Sequence, residues 1–161
     1  MMGLGAGAGK RGELGASLVE FAIVAPLLFL LLFGIIESGR LLATYTSVYT
    51  AAREGARYAT VTAGSTGVPA YVDCAGIEAA ARAKAPFLSG SEVEIEVIWP
   101  DSGGACPTPP APEAVDRQDR VKVVVRSEFS SPVPIISALL GNITVESSQQ
   151  RTVFVPEDDD E

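Results

Sequence analysis

Histidine is absent from the 161 residues. Its absence excludes an imidazole proton shuttle, a Ser-His-Asp triad and histidine-liganded zinc. Cysteine occurs only twice, at Cys74 and Cys106. Two thiolates so far apart, with no histidine beside them, make a poor metal site, so neither a metal nor another cofactor is expected. Positive charge is also scarce: 12 lysines and arginines stand against 20 aspartates and glutamates, a formal net charge of -8. Electrostatic binding of nucleic acid needs a basic face, so a nucleic-acid partner is not expected either. No glycine-rich phosphate loop occurs. With 47% apolar and 20% charged residues, general disorder is excluded too.

What the chain does have is one long apolar run. Phe21 to Ile36 reads FAIVAPLLFLLLFGII, sixteen residues without a charge or a strongly polar side chain. Counted from Leu18 it is nineteen residues, interrupted only by Glu20. At about 1.5 Å per residue, a helix of that length covers roughly 28 Å, close to the hydrocarbon thickness of a bilayer. A helix that is apolar all round has few hiding places in a soluble protein, so residues 18–36 read as a single membrane span. Pro26 lies inside it, removes one backbone donor and predicts a mild kink.

The helical pattern continues past the span. Leu41, Tyr45, Val48, Ala52, Gly55 and Ala59 recur at the spacing of one helix face, with Thr44, Ser47, Thr50, Arg53, Glu54 and Arg57 mainly elsewhere. One helix over 16–62 is predicted, its first half in lipid and its second half amphipathic. Before it, residues 1–15 (MMGLGAGAGKRGELG) are too small and polar to form a core and read as a leader peptide or a cytoplasmic tail. After it, AGSTGVP at 63–69 is a break. A second helix is expected from about Cys74 to Lys84. EVEIEVIW (92–99) alternates charged and apolar residues, the pattern of a strand with one wet face. Residues 100–112 hold five prolines and two glycines and must be loop. DRVKVVVRSEF (119–129) is a more central strand, 133–140 a short helical turn, and 143–155 a third strand, bent near Ser147 and Ser148. The last five residues, EDDDE (157–161), are a solvated acidic tail.

Three strands alone are marginal. The amphipathic half of the long helix is the natural cover, so the fold class is α+β: a long N-terminal helix packed on a small antiparallel sheet, the pilin type of architecture. The globular part over 63–156 lies beyond the span. If that side is oxidising, Cys74 and Cys106 form a single bridge worth roughly 3 to 4 kcal/mol; the alternative is two unrelated free thiols.

Glu20 stands at one end of the span, five residues after Gly15. A carboxylate at the centre of a span costs roughly 2.5 to 3.5 kcal/mol on insertion scales, and less near the interface. Were the chain cut after Gly15, the new amino group of Ala16 could neutralise Glu20 of a neighbouring copy; otherwise Glu20 snorkels to the headgroups. Glu37 and Arg40 share a helix side near the other end, either paired or anchoring that end at the interface. The small residues Ala51, Ala52, Gly55, Ala56 and Ala59 permit close backbone approach, either to the protein's own sheet or to another subunit.

The stretch GASLVEFAIVAPLLFLLLFGIIESGRLLATYTSVYTAAREGARYAT resembles the N-terminal region of the TadE-like family, pilin-like (pseudopilin) proteins of the bacterial tight-adherence, or Flp, pilus machinery. The marks are Glu20 and Phe21, Pro26, GIIESGR at 34–40 and AAREGARYA at 51–59. The resemblance implies cleavage between Gly15 and Ala16 by a prepilin peptidase, Glu20 as an acid needed for processing or assembly, and a cytoplasmic N-terminus. It also implies membrane lipid, other pilin-like subunits and the pilus assembly platform as partners, in a single-pass membrane protein. A minor pilin or pseudopilin, non-catalytic and contributing to pilus assembly and surface adhesion, is the expected function. The alternative is a membrane-anchored extracytoplasmic binding module outside any filament. An anchored hydrolase is poorly supported, because Glu92, Glu94 and Glu96 alternate as a wet strand face and not as paired carboxylates.

Overall fold

A computed structural model describes residues 9–61, 64, 67–85, 88 and 93–155 of the chain. It divides into two compact units, Met1–Gly39 and Arg40–Glu161. Helix α1, Gly9–Tyr58, contributes to both and is continuous through Pro26. Its start is earlier than position 16, because the run from Lys10 to Leu14 contains good helix formers. Its last turn tightens: Thr60 N–H donates to the Arg57 carbonyl and Val61 N–H to that of Tyr58. Residue 62, the predicted end, lies outside the described residues, as does the acidic tail.

The described part of the first unit is α1 alone. Its apolar side chains are largely open, Leu18, Phe21, Ile23, Leu27, Leu30 and Ile35 among them. Phe29 and Phe33, one turn apart, stack with ring centroids 6.4 Å apart.

The second unit holds the rest of α1, then α2 (Cys74–Ala83), β1 (Val93–Ile98), β2 (Arg120–Phe129), α3 (Pro134–Leu140) and β3 (Ile143–Thr152). The strands form an antiparallel sheet in the order β1-β2-β3. The strand at 119–129 is central, as its apolar middle predicts. Along β2, Val121, Val123, Val125 and Phe129 fall on one face and are buried, the period-two pattern of a strand with one face in the core. Val48, Ala51, Ala52 and Ala56 of α1 share that core with them, as do Ala59 just past its end, Ile77 of α2 and Trp99. Trp99 is 1% exposed, and its indole N–H donates to the Tyr71 carbonyl at 2.8 Å.

Two details differ from the sequence pattern. Tyr45, placed by its spacing on the apolar face, is exposed, whereas Leu41 before it packs on the core and Ser47 and Val48 after it are buried. The pairing is not interrupted at Ser147 and Ser148, where a bend is expected. These residues pair with Val125 and Val124 in a register that runs unbroken from Phe129↔Ile143 to Arg120↔Thr152. Ten consecutive backbone pairs hold β3 on β2, and a local preference for a turn at two serines does not interrupt them.

The loop at 100–112 is more ordered than its prolines suggest. Gly103 and Gly104 adopt positive φ, +76° and +106°, where other residues are strained. Their turn lets Gly103 N–H reach the Trp99 carbonyl, and Cys106 N–H reach that of Val97.

Candidate functional site

Four of the predicted site residues lie close together on α1. Gly15, Ala16, Glu20 and Phe21 are all exposed and all inside the continuous helix. A Cβ at Gly15 would meet nothing within 4 Å. Pro26 is helical, between apolar neighbours that are mostly exposed. Among the described residues this is one helix long and apolar enough to cross a membrane. A surface this apolar in a single helix is not stable against water, and burial in hydrocarbon is what it is suited to. Near the end of that unit Glu37 is buried, 6% exposed.

Ala52, Gly55 and Ala59 have a different surrounding. All are buried, and they are used inside the second unit. A Cβ on Gly55 would sit 3.2 Å from both the Ala81 Cβ of α2 and the Val123 Cγ1 of β2. Of the two partners open to the small-residue stripe, the protein's own sheet and second helix occupy it. The polar residues of this stretch stay at the rim, with Arg57 donating to Glu54 at 2.7 and 3.0 Å. That hydrogen bond, reinforced by the charge, holds the Glu54 carboxyl below its ordinary pKa.

Asp73 joins α1 to α2. One carboxylate oxygen accepts the Gly76 N–H at 3.0 Å and caps α2. The other accepts the Tyr58 hydroxyl at 3.0 Å. Gly76 is required beneath them, because a Cβ there would collide with the Tyr58 hydroxyl and the Asp73 carboxylate. Next to the cap, Cys74 is disulfide-bonded to Cys106, with Cα atoms 5.8 Å apart. The bond ties the start of α2 to the segment following β1.

On the outer face of the sheet one arginine gathers three carboxylates. Arg126 donates to Glu146 of β3 at 2.7 Å and to Glu96 of β1 at 3.0 Å, with Glu94 3.7 Å away. The hydrogen bond to Glu146, then that to Glu96, raises the arginine's pKa further above its ordinary value. Of the wet face read at Glu92, Glu94 and Glu96, the last two are thus part of a charge staple across all three strands, and Glu92 lies outside the described residues. Nothing in the sequence pattern links these residues, because only the strand register makes Glu94 and Glu146 neighbours of Arg126.

A second exposed pair fixes the connection between β1 and β2. Arg120 donates through Nε and Nη2 to Asp101 at 2.9 and 2.8 Å, and its backbone N–H donates to the same carboxylate. The side-chain hydrogen bond from Arg120 is the main cause of a lowered Asp101 pKa. A depressed carboxyl pKa contributes stability above the unfolded value of about 3.9 and loses it as pH falls through the lower folded value. Urea unfolding between pH 6 and pH 2 is therefore expected to lose part of its acid dependence in Asp101→Asn. An unchanged slope would show that this pair does not couple to folding.

No curated protein and no solved structure matches the chain. Over residues 15–57, from the Gly15–Ala16 bond through the apolar span to the buried small-residue face, the chain matches the family described as TadE-like protein.

Proposed function

We propose that this chain is a non-catalytic, membrane-anchored pseudopilin of a tight-adherence pilus, working with other pilin-like subunits and the pilus assembly platform. The observation that supports this reading most is the coincidence of the TadE-like match with α1. In its first half that helix is apolar on every side and exposed; in its second half it is part of the core of a small sheet domain. Such a chain is both a tether and a domain carrier, and needs no catalytic group. The N-terminus lies in the cytoplasm and the sheet domain outside it, where an oxidising environment suits the Cys74–Cys106 bond.

A prepilin peptidase cuts the bond between Gly15 and Ala16. That bond is helical here, so the helix must unwind locally to enter a protease. The new ammonium on Ala16 then pairs with Glu20 of a neighbouring copy in the assembled state. Mass spectrometry of the protein from its native membrane tests the cleavage: residues 1–15 are missing when the peptidase is present and retained when it is deleted. An intact N-terminus in both strains favours the anchored binding module instead.

The role of Glu20 has its own test. Glu20→Val should insert normally, since it removes a charge from the span. Assembly should fall by about a hundredfold, the factor implied by leaving a buried charge without its partner at about 3 kcal/mol. Normal pilus yield from Glu20→Val would end the assembly role of this carboxylate.

A further inference from the structure

The two layers of the Arg40–Glu161 unit carry opposite charge. Residues 40–85, with the rest of α1 and all of α2, have five basic and three acidic side chains. Residues 86–161, with the sheet, have five basic and fourteen acidic ones. On α1, Tyr45, Tyr49, Arg53 and Arg57 follow one another at four-residue spacing, a ridge along the helix, and all four are exposed. Lys84 stands beside them, since the Thr50 hydroxyl donates to the Lys84 carbonyl at 3.4 Å. The acid next to the ridge, Glu54, is held by Arg57. Arg53 has no ion pair among the described residues. Exposed tyrosines beside an unpaired arginine are the side chains that anchor protein–protein contacts.

The outer face of the sheet offers a seat for such a ridge. Glu94, Arg126, Ser127, Glu128 and Thr144 line a cleft of about 330 Å³, at the lower end of the range of roughly 300 to 1,000 Å³ for ligand sites. Arg126 is taken up by Glu96 and Glu146. Glu94 of β1 and Glu128 of β2 are both exposed, and Glu128 has no ion pair among the described residues. The cleft therefore has carboxylate to spare, and the ridge has an arginine to spare. Within one chain they cannot meet. α1 covers the inner face of the sheet, and Glu94, Glu128 and Thr144 alternate with the residues of that inner face.

We propose that the cleft receives Arg53 of a second copy of this chain, with Tyr49 of that copy packed at its rim. The charge of the two layers favours this encounter, and the pairing of Arg53 with Glu94 and Glu128 fixes its register. Two different surfaces make the contact, so each pair still offers a free ridge and a free cleft, and the assembly extends past two copies. The proposal rests on the pseudopilin reading, which supplies the neighbouring copies, and its test keeps the two apart.

Because Cys74 and Cys106 are bonded to each other, a single introduced cysteine reacts alone. Thr46→Cys lies on the ridge side of α1 and Thr144→Cys in the cleft, and both positions are exposed. The two variants, as full chains with different tags, are co-expressed in the native cells, and the membranes are treated with a short bismaleimide. The mixed 46–144 product should exceed the 46–46 and 144–144 products about tenfold, and Arg53→Glu in the Thr46→Cys chain should lower it about tenfold, as for the loss of one close charge pair. Glu94→Lys with Glu128→Lys in the Thr144→Cys chain should then restore it. Emission of the buried Trp99 in the purified variants checks that each still folds. A dominant 46–46 product would pair the helices with each other and overturn the contact. A 46–144 product indifferent to Arg53→Glu would leave the ridge to another partner, anionic lipid included, and would overturn it as well. Mass spectrometry of the same membranes reads the N-terminus. If residues 1–15 are removed and the mixed product is missing, the pseudopilin reading stands and the contact is wrong. If the N-terminus is intact and the mixed product is missing, that reading falls and takes the proposal with it.

Discussion

Gly55→Leu is expected to destabilise the sheet domain by about 3 kcal/mol or more, the upper range for forcing extra carbons into a packed core. The helix passes so close to its neighbours that a single added Cβ would already stand 3.2 Å from Ala81 and from Val123, and 3.5 Å from the Ile77 carbonyl. Ala52 and Ala56 on the same helix, and Ala59 just past its end, are fully buried, so the whole crossing is built on small side chains. A leucine has to push α1 away from α2 and β2 together. Gly55→Ala tests the same place gently. Its tight contacts are offset by a gain in helix propensity of about 1 kcal/mol, and the net change should stay within about 1 kcal/mol. Gly39→Ala, where a Cβ meets nothing within 4 Å, serves as the unstrained control. Urea unfolding in micelles, followed by the single, buried Trp99, separates the three variants. Equal stability of Gly55→Leu and Gly55→Ala would refute the close crossing.

That crossing is partly legible in the sequence. The recurrence of Val48, Ala52, Gly55 and Ala59 at helical spacing identifies a face, and all four are buried. Spacing does not say what covers a face, and the same four residues would serve a neighbouring subunit equally well. What decides is the position of Val123 and Ala81, which depends on contacts far apart in sequence. The strands are legible for a similar reason: alternation at 93–98 and the apolar centre of 120–129 are local signals. The behaviour of Ser147 and Ser148 is not local. Their backbone groups are held by β2, so the ladder outweighs the turn preference of the serines. The role of Arg126 is hidden for the same cause, since its partners Glu96 and Glu146 come from two other strands. The leader residues from Gly9 onward also depart from expectation, being helical despite their glycines, as an extension of a helix already nucleated downstream.

Removing the Cys74–Cys106 bond is expected to cost about 3 to 4 kcal/mol, the closure entropy of a loop of its size. The bond joins residues 32 apart in sequence, and the enclosed chain includes α2 and the whole of β1. Both ends are held by other means too: Cys74 follows the Asp73 cap, and the Cys106 N–H donates to the Val97 carbonyl. The native arrangement therefore survives without the covalent link, and the loss falls mainly on the freedom regained by the unfolded chain. The double variant Cys74→Ser, Cys106→Ser should keep the Trp99 emission of the folded domain while its urea midpoint falls. Reduction of the unaltered protein should reproduce that shift, and reoxidation should restore it. The size of the loss also bears on location. A domain of this size has a stability of only about 5 to 15 kcal/mol in total, so one missing bridge removes a large share of it. In a reducing compartment the sheet domain would be held by the α1 crossing and the sheet alone; outside the cytoplasm it has both. A double variant as stable as the oxidised protein would mean that the unfolded chain is already compact in this region, and that the bridge adds nothing to the fold.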